Sequence, residues 1–470
     1  MSVVLATAPT VESVTITPSP AHYYDNLTSV CVGNDTENDS LVNDYLWYVD
    51  GVETDFTTID FLGQGISTHG SAIYGDGTYI YLADAADGIR AYSVSDGALT
   101  LEDTSDEGGI YKDIWGDGTY IYAAADGDGG LKAYTFNGTS LTYKGVIAVS
   151  STVGIDAWGV YADEDYVYLA NYNDGIRAYT FDGSSFSEKG HIDPGNSCKA
   201  VWGDGTYIYL LCGYDGMFAY TFNGATFTLK DSIDTGGEYR NIGGVGNTTF
   251  YVTKYYAGLF AYSFNGTDLI EEGSIDDGSG GYVAVWTDGI KQYVANMRGG
   301  LRIYNFNGTG FTYEASINDT SGQEYPDLWQ GVWNDGTNIY TSTWVDDIQI
   351  YTYDSNVVNS SNVSISDQFI SSCRVYDGNE FSAWTNSSTS TILGDDSCTY
   401  SGTGNWDINI SDNCTINESL SNGNLTISGV SGSLTINGSI TADKISIEPS
   451  DFNGDFIINI LPGKTLGVVI

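Results

Sequence analysis

The stretch KAVWGDGTYIYLLCGYDGMFAYTFNGATFTLKD, residues 199–231, reads as four short strands joined by turns. KAVW alternates until Gly203-Asp204-Gly205 breaks it, and YIYLLC resumes the alternation. MFAYTF forms a third run, and Asn223-Gly224 separates it from TFTLKD. Asp-Gly and Asn-Gly between alternating runs are the strongest short-range hairpin signals, because these residues accept the positive φ that a tight turn between twisted strands requires. The stretch is an antiparallel meander with no place for a helix.

The same pattern occurs seven times in the chain. An aromatic precedes each turn: Tyr74, Trp115, Tyr161, Trp202, Trp286 and Trp333, with Val245 in the fifth copy, at spacings of 41, 46, 41, 43, 41 and 47 residues. A period near forty, built only of short strands, predicts propeller blades rather than a helical solenoid. Small residues two places before the anchor (Ala72, Gly159, Ala200, Ala284, Gly331) suit an innermost strand crowded around an axis, and the anchor aromatics are expected to pack between blades. The seventh copy stops after its third strand, IQIYTYD. Upstream, FTTIDFLG (56–63) matches the fourth strands SFSEKGHID and TFTLKDSID. That upstream strand is expected to complete the last blade, closing the ring and removing exposed sheet edges.

Within the blades, YLADAADGIRAY, YLANYNDGIRAY and YVANMRGGLRIY resemble the LVIVD repeats of bacterial and archaeal surface proteins over roughly residues 56 to 353. The resemblance implies a propeller in a cell-surface setting and little about activity. The flanks, 12–53 and 354–394, joined end to end, resemble one immunoglobulin-like or PKD-like domain. In that pattern Cys31 falls on the second strand, Trp47 on the third and Cys373 on the sixth, the Cys…Trp…Cys arrangement of an immunoglobulin sandwich. The resemblance implies a Cys31–Cys373 disulfide across the whole propeller, worth roughly 4–5 kcal/mol in the chain-entropy picture. The organisation read from the sequence is an all-β chain: a first sandwich half at 1–53, a seven-bladed β-propeller at 54–353, the second sandwich half at 354–394, and a small β-rich module at 395–470. Period-two alternation in that last region fits a partial β-helix or a further small sandwich.

The chain has 470 residues and a formal net charge of −45, from 61 acidic and 16 basic residues. Such a field disfavours nucleic acid and anionic lipid as partners. No run approaches eighteen apolar residues, so membrane insertion is not expected of this segment. Sixteen N-x-S/T sequons, Asn137, Asn265, Asn307, Asn318, Asn359 and Asn386 among them, and six cysteines point to an extracellular, oxidising compartment. Cys398 and Cys414 are expected to pair within the last module, and Cys198 with Cys212 across one hairpin. The short start MSVVLATAPT and the apolar end LGVVI suggest a section of a longer surface protein with neighbouring domains.

Catalytic constellations are scarce. His22, His69 and His191 fall in different loops, and no nucleophile elbow, Walker loop or CxxC occurs. Asp126 and Asp128 place oxygens at alternate positions as calcium loops do, without the distal Glu; no other cofactor is implied. The loop face collects Tyr111, Lys112, Asp156, Trp158, Lys199, Tyr239, Arg240, Tyr282, Arg298, Trp329 and Trp344. Five of the scarce basic residues, Lys254 included, fall in these loops, which favours recognition of a glycan or a surface protein there. The function expected is adhesion or envelope assembly without catalysis. The alternatives are a secreted polysaccharide-acting enzyme with an axial site, and a viral attachment protein.

Overall fold

In a computed structural model, the structure describes residues 8–19, 21–22, 26–35, 41–54, 58–64, 69–95, 98–127, 129–147, 156–195, 197–245, 249–297, 299–317, 329–343, 348–354, 357–358, 362–364, 367–376 and 381–393, followed by the strands of the C-terminal region. The described secondary structure is essentially all strand. Seven four-stranded antiparallel sheets follow one another as blades, with inner strands Ala72–Gly75, Ile110–Gly116, Gly159–Ala162, Cys198–Gly203, Tyr239–Gly244, Tyr282–Thr287 and Trp329–Asn334. Each inner strand packs on the next, and the seventh on the first, closing the ring. The last blade takes its fourth strand from upstream: Thr58–Gln64 pairs antiparallel with Gln349–Asp354.

Three devices convert the repeat into a ring. At each Gly-Asp-Gly-type turn the Asp carboxylate accepts backbone N–H groups two and three residues on, and its other oxygen accepts the Tyr hydroxyl five residues on. Asp204 does this with Thr206 (2.8 Å), Tyr207 (2.7 Å) and Tyr209 (2.7 Å). The same Asp–Tyr pair recurs as Asp76–Tyr81, Asp117–Tyr122, Asp163–Tyr168, Asp288–Tyr293 and Asp335–Tyr340. The tyrosine two places earlier meets a phenylalanine of the next blade edge to face: Tyr79–Phe136, Tyr120–Phe181 and Tyr166–Phe222 at 5.0 Å and Tyr207–Phe264 at 4.8 Å, a favoured aromatic geometry. The anchor aromatics form the third layer, with Tyr74–Trp115 at 5.4 Å, Trp115–Tyr161 at 5.2 Å and Trp286–Trp333 at 6.1 Å. The small residues before them admit the neighbouring inner strand. A Cβ on Gly159 would stand 2.5 Å from the Lys199 carbonyl oxygen.

The two flanks meet in a pair of sheets. One joins Thr10–Thr17, Leu27–Asn34 and Val357–Val358. The other joins Ala21–His22, Ser390–Leu393, Gln368–Tyr376, Val42–Val49 and Val52–Thr54. Ile16, Leu27, Trp47, Val358 and Phe369 fill the space between them, and a Cys31–Cys373 disulfide links the two sheets. This unit meets the propeller at the turn end of the sixth blade. Tyr376 lies where a side chain on Gly289 would stand, and Asp44 faces Lys291 at 3.8 Å. Beyond residue 405, the described strands form three parallel three-stranded sheets, each strand pairing with one about twenty residues later, as in Trp406–Asn409, Asn424–Ser428 and Lys444–Ile447. Parallel pairing at that interval is a coil, where a small sandwich would carry antiparallel hairpins. Cys398 and Cys414 lie outside the described residues.

Candidate ligand-binding site

Five blades open their inner strand with a β-bulge, between Tyr111 and Asp113, Cys198 and Ala200, Tyr239 and Asn241, Tyr282 and Ala284, and Trp329 and Gly331. A bulge adds one residue to one strand and re-aims a side chain. The added residues are Lys112, Lys199, Arg240, Val283 and Gln330, and all five line an axial cavity of about 480 Å³. Ser71 and Trp158 take the same place in the first and third blades, each donating its backbone N–H to the second strand (2.8 and 3.0 Å).

These side chains form a connected arc. The Lys112 and Lys199 ammonium groups stand 5.0 and 5.3 Å from the Trp158 ring, which stacks on Tyr172 at 5.0 Å. The Trp158 indole N–H donates to Asp156 Oδ1 at 2.9 Å. Lys199 Nζ donates to Glu238 Oε1 at 2.6 Å, and Arg240 Nε lies 3.2 Å from the same oxygen. The Arg240 guanidinium covers the Tyr255 ring at 4.5 Å, and the Tyr255 hydroxyl donates to the Met297 sulfur at 3.0 Å. Blades two to five thus give a cationic and aromatic side of the mouth, while Val283, Gln330 and Ser71 leave the other side uncharged. The Cys198–Cys212 disulfide staples the strand pair immediately before Lys199.

Two carboxyl groups here titrate high. Burial, followed by a hydrogen bond and charge repulsion from Asp126, raises Asp156 to about 6, with Trp158 and Lys112 opposing. Asp113 borders the cavity, but its carboxyl is enclosed, and burial pushes it up to about 7. Backbone N–H groups of Val160 and Ile114, both at 2.9 Å, oppose that rise.

The structure corrects part of the sequence-predicted site. Tyr111, Tyr239 and Tyr282 are fully buried and line no mouth. They stand one residue before the bulge, so alternation turns them into the blade. Their hydroxyls accept backbone N–H groups of Glu107 (3.0 Å), Thr235 (3.2 Å) and Asp277 (2.9 Å), pinning the loops that cross between blades. Lys254 is buried as well, over the rings of Phe260 (3.9 Å) and Tyr239 (4.3 Å). Trp329 opens the seventh inner strand at the same register as the three tyrosines, paired with Thr343. Arg298, Trp344, Asp128, Asn318 and Asn359 lie outside the described residues. Asp126 is engaged with Asp156, and among the described residues no three His, Cys, Asp or Glu side chains are grouped to hold a metal. Asn137, Asn265 and Asn307 each cap the third-to-fourth strand turn, as Asn223 does without a sequon. Asn386 is exposed and accepts from the Ser372 hydroxyl at 2.7 Å. Glu238, Asp113 and Met297 were missed by sequence reasoning. Asp113 left a signal, as the one carboxylate in a column otherwise filled by Ala and Gly in the sequence, with Asn241 taking the fifth place in the register the bulge sets.

Fold and site together define a seven-bladed propeller with an axial pocket at its loop end. No protein family and no curated protein matches the chain by sequence. Solved structures do match in shape. Selenomethionine-substituted virginiamycin B lyase from Staphylococcus aureus is 11% identical with a TM-score of 0.50, covering 63% of this chain and 99% of its own. A catalytically inactive variant of that lyase with quinupristin is 12% identical, at 0.49, over 63% and 99%. At that identity the likeness shows the fold alone. It nevertheless corrects the expectation of a protein without catalysis, which rested on the scarcity of recognisable catalytic motifs: proteins of this shape include an enzyme.

Proposed function

We propose that this is an extracellular surface or envelope protein whose axial mouth binds a glycan in adhesion or surface assembly. The observation that carries the reading is the stacked Trp158–Tyr172 pair at the rim of a concave cavity, flanked by charged groups fixed at its edges. A sugar ring offers an apolar face to an aromatic and hydroxyls to ionic groups around it. A protein partner would instead engage a broad patch of about 800 Å². Two disulfides and sixteen sequons support the extracellular setting. So does the resemblance to LVIVD repeats. We read the two-sheet unit carrying Cys31, Trp47 and Cys373 as an immunoglobulin-like stalk that holds the turn end and leaves the mouth outward. The test is a glycan array probed with the full chain and with Trp158→Ala. Bound glycans lost in the variant, at unchanged melting temperature, support the reading. No glycan bound, capture of a protein instead, or binding indifferent to Trp158 overturns it.

A second reading, an enzyme acting on polysaccharide at the same mouth, is favoured by the raised carboxyl of Asp156 beside Trp158. A group titrating near neutrality suits proton transfer at a glycosidic bond. Release of reducing ends from a polysaccharide, abolished in Asp156→Asn, tests it.

A further inference from the structure

Basic residues are scarce in this chain, 16 against 61 acidic; four within the blades pair with acids, while the buried Lys132 and Lys254 lie over tyrosine rings outside the cavity lining. Arg90 pairs with Asp84, Arg177 with Asp174 and Glu188, Lys291 with Glu314, and Arg302 with Asp277. Three more basic residues gather at the mouth. Lys199 and Arg240 share the single carboxylate of Glu238. Lys112 faces the Trp158 ring and Asp156, whose own charge is contested by burial and by Asp126. Three cations therefore converge within one arc, on the aromatic side of the cavity, in a protein whose charge otherwise repels anions. Keeping them there has no counterpart in folding the blade. Val283, Gln330 and Ser71 hold the same ring position without charge.

We infer that the sugar seated at this mouth carries a negative charge, as a carboxylate or a sulfate, held by Lys112, Lys199 and Arg240 while its ring lies against Trp158. The inference rests on the glycan reading above and adds the class of sugar. An ionised acceptor makes the stronger hydrogen bonds with ammonium and guanidinium donors, and the arginine fork suits a planar carboxylate. Long-range repulsion from the remainder of the chain is screened beyond about 8 Å at physiological salt, so the local arc decides the outcome at contact distance.

The test is calorimetric titration of the full chain with an oligogalacturonate, its neutral methyl ester, and a sulfated galactan oligosaccharide, at low salt and at 1 M salt. The acid is expected to bind at least about tenfold tighter than the ester at low salt, with the gap shrinking at 1 M, where screening reaches about 3 Å. Lys112→Gln, Lys199→Gln and Arg240→Gln should each lower affinity for the acid about tenfold and flatten its salt dependence. Lys230→Gln, on an exposed outer strand, should change nothing. A sulfated ligand preferred over the acid supports the inference and names sulfate as the anion. Equal binding of acid and ester that still depends on Trp158 overturns the charge inference and leaves the glycan reading standing. Binding of none of the three probes overturns the inference, and the glycan reading falls with it if the array is blank as well.

Discussion

The two ends of the propeller use the same strands to opposite purposes. At the turn end, six blades repeat one arrangement, an Asp that closes its own turn and takes a buried Tyr hydroxyl. At the loop end, the equivalent ring position holds Ser71, Lys112, Trp158, Lys199, Arg240, Val283 and Gln330. A ring closes only if its blades match, so the residues that set blade geometry are nearly uniform. In five blades a bulge takes one residue out of the packed layer, and that residue is free to differ. Uniformity marks the scaffold, and variety marks the site.

Four substitutions would break or sharpen this contrast. The largest effect belongs to Asp113, the carboxylate enclosed between the two ends. Its pKa is raised to about 7, against about 3.9 in an unfolded chain, so the folded state holds its proton more tightly. That contribution to stability is complete below about pH 4 and is lost as pH rises through 7. Asp113→Asn should match the parent at pH 4 and exceed it by about 2–4 kcal/mol at pH 8, in urea unfolding at the two pH values. The amide can keep the bond to Val160, as Asn241 does with Val285 at 3.1 Å. A variant less stable than the parent at pH 8 would remove the argument.

Next comes the turn end. Asp204→Ala leaves two backbone N–H groups and the buried Tyr209 hydroxyl without their acceptor, and should cost about 3 kcal/mol by denaturant midpoint. A loss below about 0.5 kcal/mol would show that the uniform latch is ornamental. Tyr239→Phe removes one buried hydroxyl beneath the mouth, with an expected cost of about 1 kcal/mol. Lys112→Gln, on the bulge itself, should stay within about 0.5 kcal/mol of the parent. If it destabilises as much as Asp204→Ala, the mouth belongs to the scaffold after all.

Much of the fold was legible because it is periodic. Asp-Gly and Asn-Gly turns, the aromatic before each, and FTTIDFLG as a displaced fourth strand all follow from local pattern. The mouth was legible only in part. Lys112, Lys199, Arg240 and Trp158 stand where loop position placed them, yet Tyr111, Tyr239 and Tyr282, each beside a mouth residue, point the other way. The difference is a single inserted residue. In a strand, one step exchanges inside for outside, and nothing in the sequence declares a bulge. Glu238, missed beforehand, acquires its role only because Lys199 of the preceding blade comes within 2.6 Å.

By itself, the sequence determined the number of blades, the strands within each, and the acidic, cation-poor character of the chain, since these depend on neighbours along the chain and on composition. Tertiary structure alone decided which side chains reach the axis and that three cations and a tryptophan from adjacent blades converge on one arc. Ring closure and bulge register bring together residues some forty positions apart, and such distances are set by packing, which local pattern does not encode.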